Sequence, residues 1–156
     1  MQVREKGFAD QAWVDRLLAS RWGGGRVVVR GAVYDARALP GLIAGDLAGL
    51  ATWAEHGTAA ELVTLDAVVP RQGAGTALVE ALCSRLAAAG CTKLRVVTTN
   101  DNVDALRFYQ RRGFRLVALR PGAVDEARRR KPQIPDVGLH GIPLHDELEL
   151  ERALAT

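Results

Sequence analysis

Along residues 8–25, FADQAWVDRLLASRWGGG, apolar side chains recur at helical spacing. The run predicts a helix that turns Ala12, Trp13, Leu17 and Leu18 to a core and stops at its glycines. The spacing then shortens. Residues 26–31, RVVVRG, read as a short strand, and residues 39–57 as a hairpin turning at Gly45 and Asp46. The run AAELVTLDAVV (59–69) predicts a strand with Glu61, Val63, Leu65 and Ala67 on one face and Leu62, Thr64, Asp66 and Val68 on the other. Residues 75–90 return to helical spacing, with Leu78, Leu82, Leu86 and Ala89 in one stripe and Gly90 just past the end.

The alternation continues with a strand over 92–100, a helix over NVDALRFYQRRGF (102–114) closed by Gly113, and a strand over 114–120. After Pro121 the pattern loosens. VDEARRRK (124–131) predicts a short helix, 132–143 a loop, and DELELERAL (146–154) a closing strand with Glu147, Glu149 and Glu151 on a solvated face. The strand–helix–strand run over 61–99 requires a parallel pair with a right-handed crossover, and the hairpin makes the rest antiparallel. The expected class is therefore α/β with a mixed sheet and helices on its faces.

Composition narrows the function more than the fold. The 156 residues are 48% hydrophobic and 25% charged, ordinary for one globular domain. A net charge of +3 is too mild to imply nucleic acid but suits an anionic ligand. Cys83 and Cys91 have no CxxC spacing and read as reduced, packed thiols. The first residues lack the apolar core of a secretion signal, and no apolar run is long enough to span a bilayer, so the expectation is a cytoplasmic protein without a membrane partner. Ser20 and Ser84 are the only serines, and neither stands in a nucleophile elbow.

VVPRQGAGTALVEAL joins a strand to a helix. Gly73 and Gly75 fit a tight turn that needs glycine, or one whose first helical N–H groups hold an anion. Leu78 breaks the dinucleotide GxGxxG pattern, and no Gly-Lys-Ser/Thr follows for a P-loop. In the next helix Asn102 and Tyr109, seven positions apart, face nearly the same way with Ala105 between them, while Phe108 turns toward the core. Asn102 suits an N-cap. Tyr109 by itself fits either a core aromatic or a chemical role.

The two motifs together resemble the GNAT superfamily of acyl-CoA-dependent N-acetyltransferases. The resemblance is carried by residues 61–119, where NVDALRFYQRRGF fits N-x-x-A-x-x-F-Y-x-x-x-G-F at every marked position. Over 26–57 it is one of pattern only, and beyond Pro121 it fades. It implies one domain over 1–156 with an atypical segment at 121–156. The implied fold is a mostly antiparallel twisted sheet whose central parallel pair splays around the coenzyme. The implied activity is direct transfer of acetyl from acetyl-CoA, as co-substrate and without metal, to a primary amine, either a small molecule or a peptide.

The resemblance also implies roles. Gly73, Ala74 and Gly75 match the turn whose amides hold the coenzyme pyrophosphate, and coenzyme contacts would extend over Ala67, Val68, Val69, Arg71, Gln72 and Thr76. Asn102 and Ala105 would meet the coenzyme arm, and Tyr109 would protonate the departing thiolate. A phenol near pKa ~10 stays protonated at neutral pH and can serve that step. The family usually has Arg or Gln three residues before the first glycine. Pro70 stands there, in a loop about two residues shorter than usual, and Arg71 is the neighbour that can supply the charge. Glu61 lies where the histone-acetylating branch has its glutamate base, with Asp66 in reserve. The N–H groups of Ala67 and Val68 would polarise the acetyl carbonyl.

Three features stay outside the motifs. His140, His145, Asp146 and Glu147 match no metal-site spacing and read as a polar loop entering a strand, although His145 or Glu147 would lie near the acceptor amine. ARRRK (127–131) reads as a solvated basic helix face rather than a nucleic-acid surface. The altered turn also leaves a second reading, a non-catalytic acyl-CoA-binding module. The sequence leaves a homodimer open.

Overall fold

The computed structural model describes residues 1–155. Its main sheet joins β1 (Val3–Glu5), β4 (Gly41–Ala44), β5 (Gly49–His56), β6 (Ala59–Ala67), β7 (Lys93–Thr99), β9 (Glu147–Ala153) and β8 (Arg115–Arg120), in that spatial order. A separate hairpin pairs β2 (Arg26–Val29) with β3 (Ala32–Asp35). All neighbours in the main sheet run antiparallel except β6 and β7, which are parallel and joined through α2 (Ala74–Ala88). The mixed sheet expected from the sequence is the one observed. β1 and β3 escape the apolar pattern because both are short and mostly exposed.

Each face of the sheet carries its own core. On one, Leu78, Val79, Leu82 and Leu86 of α2 pack on Leu42, Ala51, Trp53, Leu62 and Val96. The start of α2 comes so close to β5 that a Cβ on Gly49 would lie 3.1 Å from Ala74 and 3.0 Å from Leu78. α3 (Val103–Arg111) lies on this side too, through Tyr109. On the opposite face α1 (Gln11–Trp22) buries Val14 and Leu18 against Ile43, Leu50, Val63 and the hairpin's Val27 and Val29. Trp13 and Leu17 are only half-buried, while Ala12 and Ala89 point to solvent, so the helical stripes sit slightly rotated from those expected.

A β-bulge rearranges β6. Leu62 pairs with Trp53 and Thr64 with Thr52, leaving Val63 as the extra residue between them. The strict alternation expected for 61–68 therefore fails. Glu61 and Val63 share the α1 face with Thr64 and Asp66, while Leu62, Leu65 and Ala67 face α2.

Candidate active site

The parallel pairing of β6 with β7 runs only from Ala59 opposite Lys93 to Leu62 opposite Val96. Beyond it the strands part, so Val63–Ala67 and Val97–Thr99 flank a split in the sheet. Val68 donates its N–H to Ala48 across 2.8 Å. By antiparallel alternation the N–H groups of Leu65 and Ala67 then point away from β5, into the split. The expected donor at Ala67 is open to a ligand, and the one at Val68 is spent on the sheet.

On the α2 side of the split lies a cavity of about 660 Å³ lined by the glycine turn and α3. Gly73 takes the left-handed conformation (φ 84°), which favours glycine, and caps α2 without a side-chain hydrogen bond. Ala77 N–H is the first to bond back, to Gly73, so the N–H groups of Ala74, Gly75 and Thr76 are free for an anion. Gly75 serves packing instead: a Cβ there would approach the Phe108 ring to 3.2 Å. Arg71, Arg107, Arg111 and Arg112 line this cavity against one acid, Asp104. Arg112 is fixed by its Nε and Nη2 donating to Thr76 Oγ1 at 2.9 and 2.6 Å, and its guanidinium lies 3.7 Å over the Phe108 ring. The charge missing at Pro70 is thus supplied several times over. Val68, Val69, Gln72, Asn102, Ala105 and Tyr109 do not line the cavity.

The aromatic pair is arranged opposite to expectation. Phe108 lines the cavity, whereas Tyr109 is buried, edge-on to Phe108 and Phe114. The Tyr109 hydroxyl bonds to none of the described residues, yet it is not among the fully enclosed unpaired atoms, so its oxygen keeps an opening. Burial, and then the charge of Asp66, push its pKa upward. Asn102 caps α3 as expected, its side-chain oxygen accepting from Ala105 N–H at 3.1 Å.

On the α1 side a second cavity of about 430 Å³ opens between α1, β2, the end of β7 and the segment after Pro121. Arg21, which lines this cavity, reaches toward the first by donating to the carbonyls of Ala67, one of its wall residues, and Val68, each at 3.3 Å. Trp22, beside it, donates its indole N–H to Asp66 at 2.8 Å. Burial raises the Asp66 pKa, opposed by that hydrogen bond and by Arg21. Glu147 also lines the cavity; burial raises its pKa, and Arg120 pulls against the rise.

The acids of β9 correct the solvated face expected for them: Glu147 and Glu149 are buried, with Arg120 Nη1 3.2 Å and Arg30 Nε 3.2 Å from Glu149. Glu61 is also buried and lines neither of these cavities. Its Oε1 accepts from the Tyr34 hydroxyl at 2.8 Å, while its Oε2 has no hydrogen-bond partner and lies 3.8 Å from Arg30. Burial and the bond to Glu61 push Tyr34 up to about 12, so it stays a donor.

The basic cluster proves structural. Arg128 donates to the carbonyls of Ile134, Pro135 and Leu144, and Arg130 to that of Gly31. Lys131 donates to those of Trp22 and Arg26. These bonds hold α4 (Ala123–Arg130) and the following loop against α1 and the hairpin. Arg129 and Arg130 keep the expected exposed positions, and Arg128 is half-buried. His140 pairs with Asp104 at 2.8 Å and His145 with Asp125 at 3.1 Å, both at the surface.

Residues 8–114 match the family model described as Acetyltransferase (GNAT) family. The chain belongs to that family. Two relatives in Bacillus subtilis (strain 168) cover most of this GNAT chain. YdhI is 34% identical over 88% of the chain and 89% of its own length, and YxbD 36% identical over 90% and 91%. Among solved structures, the fold matches a GNAT family acetyltransferase from Elizabethkingia anophelis with acetyl-CoA bound. That match has TM-score 0.69 at 14% identity and covers 98% of this chain and 97% of that one. The GNAT fold places the split, the glycine turn and α3 together. Arg107, Arg111 and Arg112 were legible only as charges recurring on α3, and Arg21 and Trp22 only as the end of the first helix.

Proposed function

We propose that this chain is an acetyl-CoA-dependent N-acetyltransferase, a single cytoplasmic domain that passes acetyl to a primary amine by direct attack. One observation carries the reading. An arginine-lined cavity and an apolar cavity holding a buried acid lie on opposite faces of the sheet beside the place where β6 and β7 part, with Ala67 of β6 in the wall of the first and Thr99 of β7 in the wall of the second.

In this reading the free N–H groups of Ala74, Gly75 and Thr76, with Arg71 and Arg112, hold the coenzyme pyrophosphate. The open backbone of Leu65 and Ala67 pairs with the amides of the coenzyme arm as an added strand would, and the Ala67 N–H donates to the acetyl oxygen as charge develops there. The amine enters from the α1 side. Among the buried acids of that face, Glu147 lines the cavity, whereas Glu61 is held by Tyr34 and Asp66 by Trp22. We therefore assign to Glu147, rather than Glu61, the proton lost by the amine, for which a raised pKa is suited. The amine nitrogen bonds to the acetyl carbon, the carbon–sulfur bond breaks, and Tyr109 gives its proton to the thiolate. A phenol with a raised pKa is still protonated when the thiolate forms. Because the thiolate of a thiol near ~8.5 is the weaker base, the transfer runs uphill and is drawn forward as the phenolate regains a proton from water.

Thiol release from acetyl-CoA in the presence of amines tests this. The reading expects turnover that falls by about 10²–10⁴-fold in Glu147→Gln. Coenzyme binding without turnover by any amine would instead make the chain an acyl-CoA-binding module.

A further inference from the structure

The apolar cavity has more to say about the acceptor, on the footing of the function proposed above. Trp22, Val27, Val124, Ile134, Pro135 and Leu144 supply its large apolar surfaces, Arg21 and Lys131 also line it, and Glu147 is its one acid. At about 430 Å³ it lies low in the ~300–1,000 Å³ range of small-ligand sites. Its outer side is built by the segment after Pro121, whose backbone carbonyls at Ile134, Pro135 and Leu144 are already engaged, while Gln133 keeps a side-chain amide free among the described residues. Arg128 holds the carbonyls of Ile134, Pro135 and Leu144, and Lys131 holds those of Trp22 and Arg26.

We infer that the acceptor is a compact primary amine with an apolar, aryl-sized body, its nitrogen toward Glu147 and its body against Trp22, Ile134 and Leu144. A peptide would bring backbone amides into a wall with few free partners, leaving buried polar groups unpaired. A polyamine would bury a second ammonium for which the wall holds no second acid. An aryl-alkyl amine brings one nitrogen and otherwise only surface that gains from leaving water.

The test compares 2-phenylethylamine, putrescine and a tetrapeptide beginning with alanine, by thiol release at saturating acetyl-CoA. The expected kcat/KM for 2-phenylethylamine exceeds that of the other two by about tenfold or more. Ile134→Asn, at a half-buried loop position, lowers the value for 2-phenylethylamine by about tenfold, a larger loss than for putrescine. Higher kcat/KM for putrescine or the tetrapeptide overturns the inference. If acetyl-CoA itself fails to bind, the function proposed above falls, and the cavity is tested alone by calorimetric titration of the free chain with 2-phenylethylamine. Binding weakened by Ile134→Asn upholds the apolar amine site, and no binding overturns it.

Discussion

The indole N–H of Trp22 donates to Asp66 across 2.8 Å, tying the end of α1 to the half of β6 that stands free of β7. The bond places a wall residue of the apolar cavity and an acid of the split in one rigid unit. Trp22→Phe keeps the apolar ring but leaves a buried carboxylate without its donor. Urea denaturation is expected to show a loss of about 1–3 kcal/mol. The Asp66 pKa, already raised by burial, is expected to rise further, which NMR titration of its carboxyl carbon reads directly.

Tyr34 plays the same part for Glu61. Tyr34→Phe strips the buried Glu61 of its one hydrogen bond, so stability is expected to fall by about 1–3 kcal/mol. If Glu147 is the proton acceptor, Glu61→Gln lowers stability but leaves kcat within about tenfold. A loss of 10²-fold or more in kcat, with the protein folded by circular dichroism, would return the base role to Glu61.

Tyr109→Phe separates chemistry from packing. The hydroxyl bonds to none of the described residues, so its removal breaks no internal hydrogen bond and the melting temperature is expected to stay nearly unchanged. Turnover is expected to fall by about 10²–10⁴-fold with coenzyme affinity intact. Turnover that survives removes the acid role from Tyr109.

Glu147 makes a pH signature. Its raised pKa puts the acidic limb of kcat/KM above the ordinary glutamate value near ~4.3, and Glu147→Gln is expected to abolish that limb. For stability the sign is opposite to that of a paired surface acid. A carboxyl whose pKa is higher folded than unfolded binds its proton more tightly in the native state. Its contribution is greatest below the ordinary value and declines as pH rises through the raised one. Denaturation midpoints of Glu147→Gln are therefore expected to decline less over that window than those of the natural chain.

The parts of this molecule legible in its sequence are those set by local rules. The apolar spacing around Leu78, Leu82 and Leu86 marks α2, Asn102 marks the start of α3, and the glycine turn with NVDALRFYQRRGF marks the family. What was not legible depends on partners distant in the chain. The bulge at Val63, set where β6 meets β5, carries Glu61 to the same face as Asp66. Phe108 and Tyr109 are adjacent, and which one enters the core is decided by Gly75 and Phe114. The alternation of Glu147 and Glu149 looked solvated because the arginines that cover them, Arg30 and Arg120, come from the turn after β2 and from β8. The basic run at 127–131 looked like a free surface because its partners are backbone carbonyls, which carry no signal in a sequence.

The central claim is that the arginine-lined cavity beside the split receives acetyl-CoA despite Pro70. Calorimetric titration with acetyl-CoA and, separately, with free coenzyme A tests it most directly. The account predicts micromolar binding of both, weakened by added salt and by Arg112→Ala. Binding of neither would contradict it.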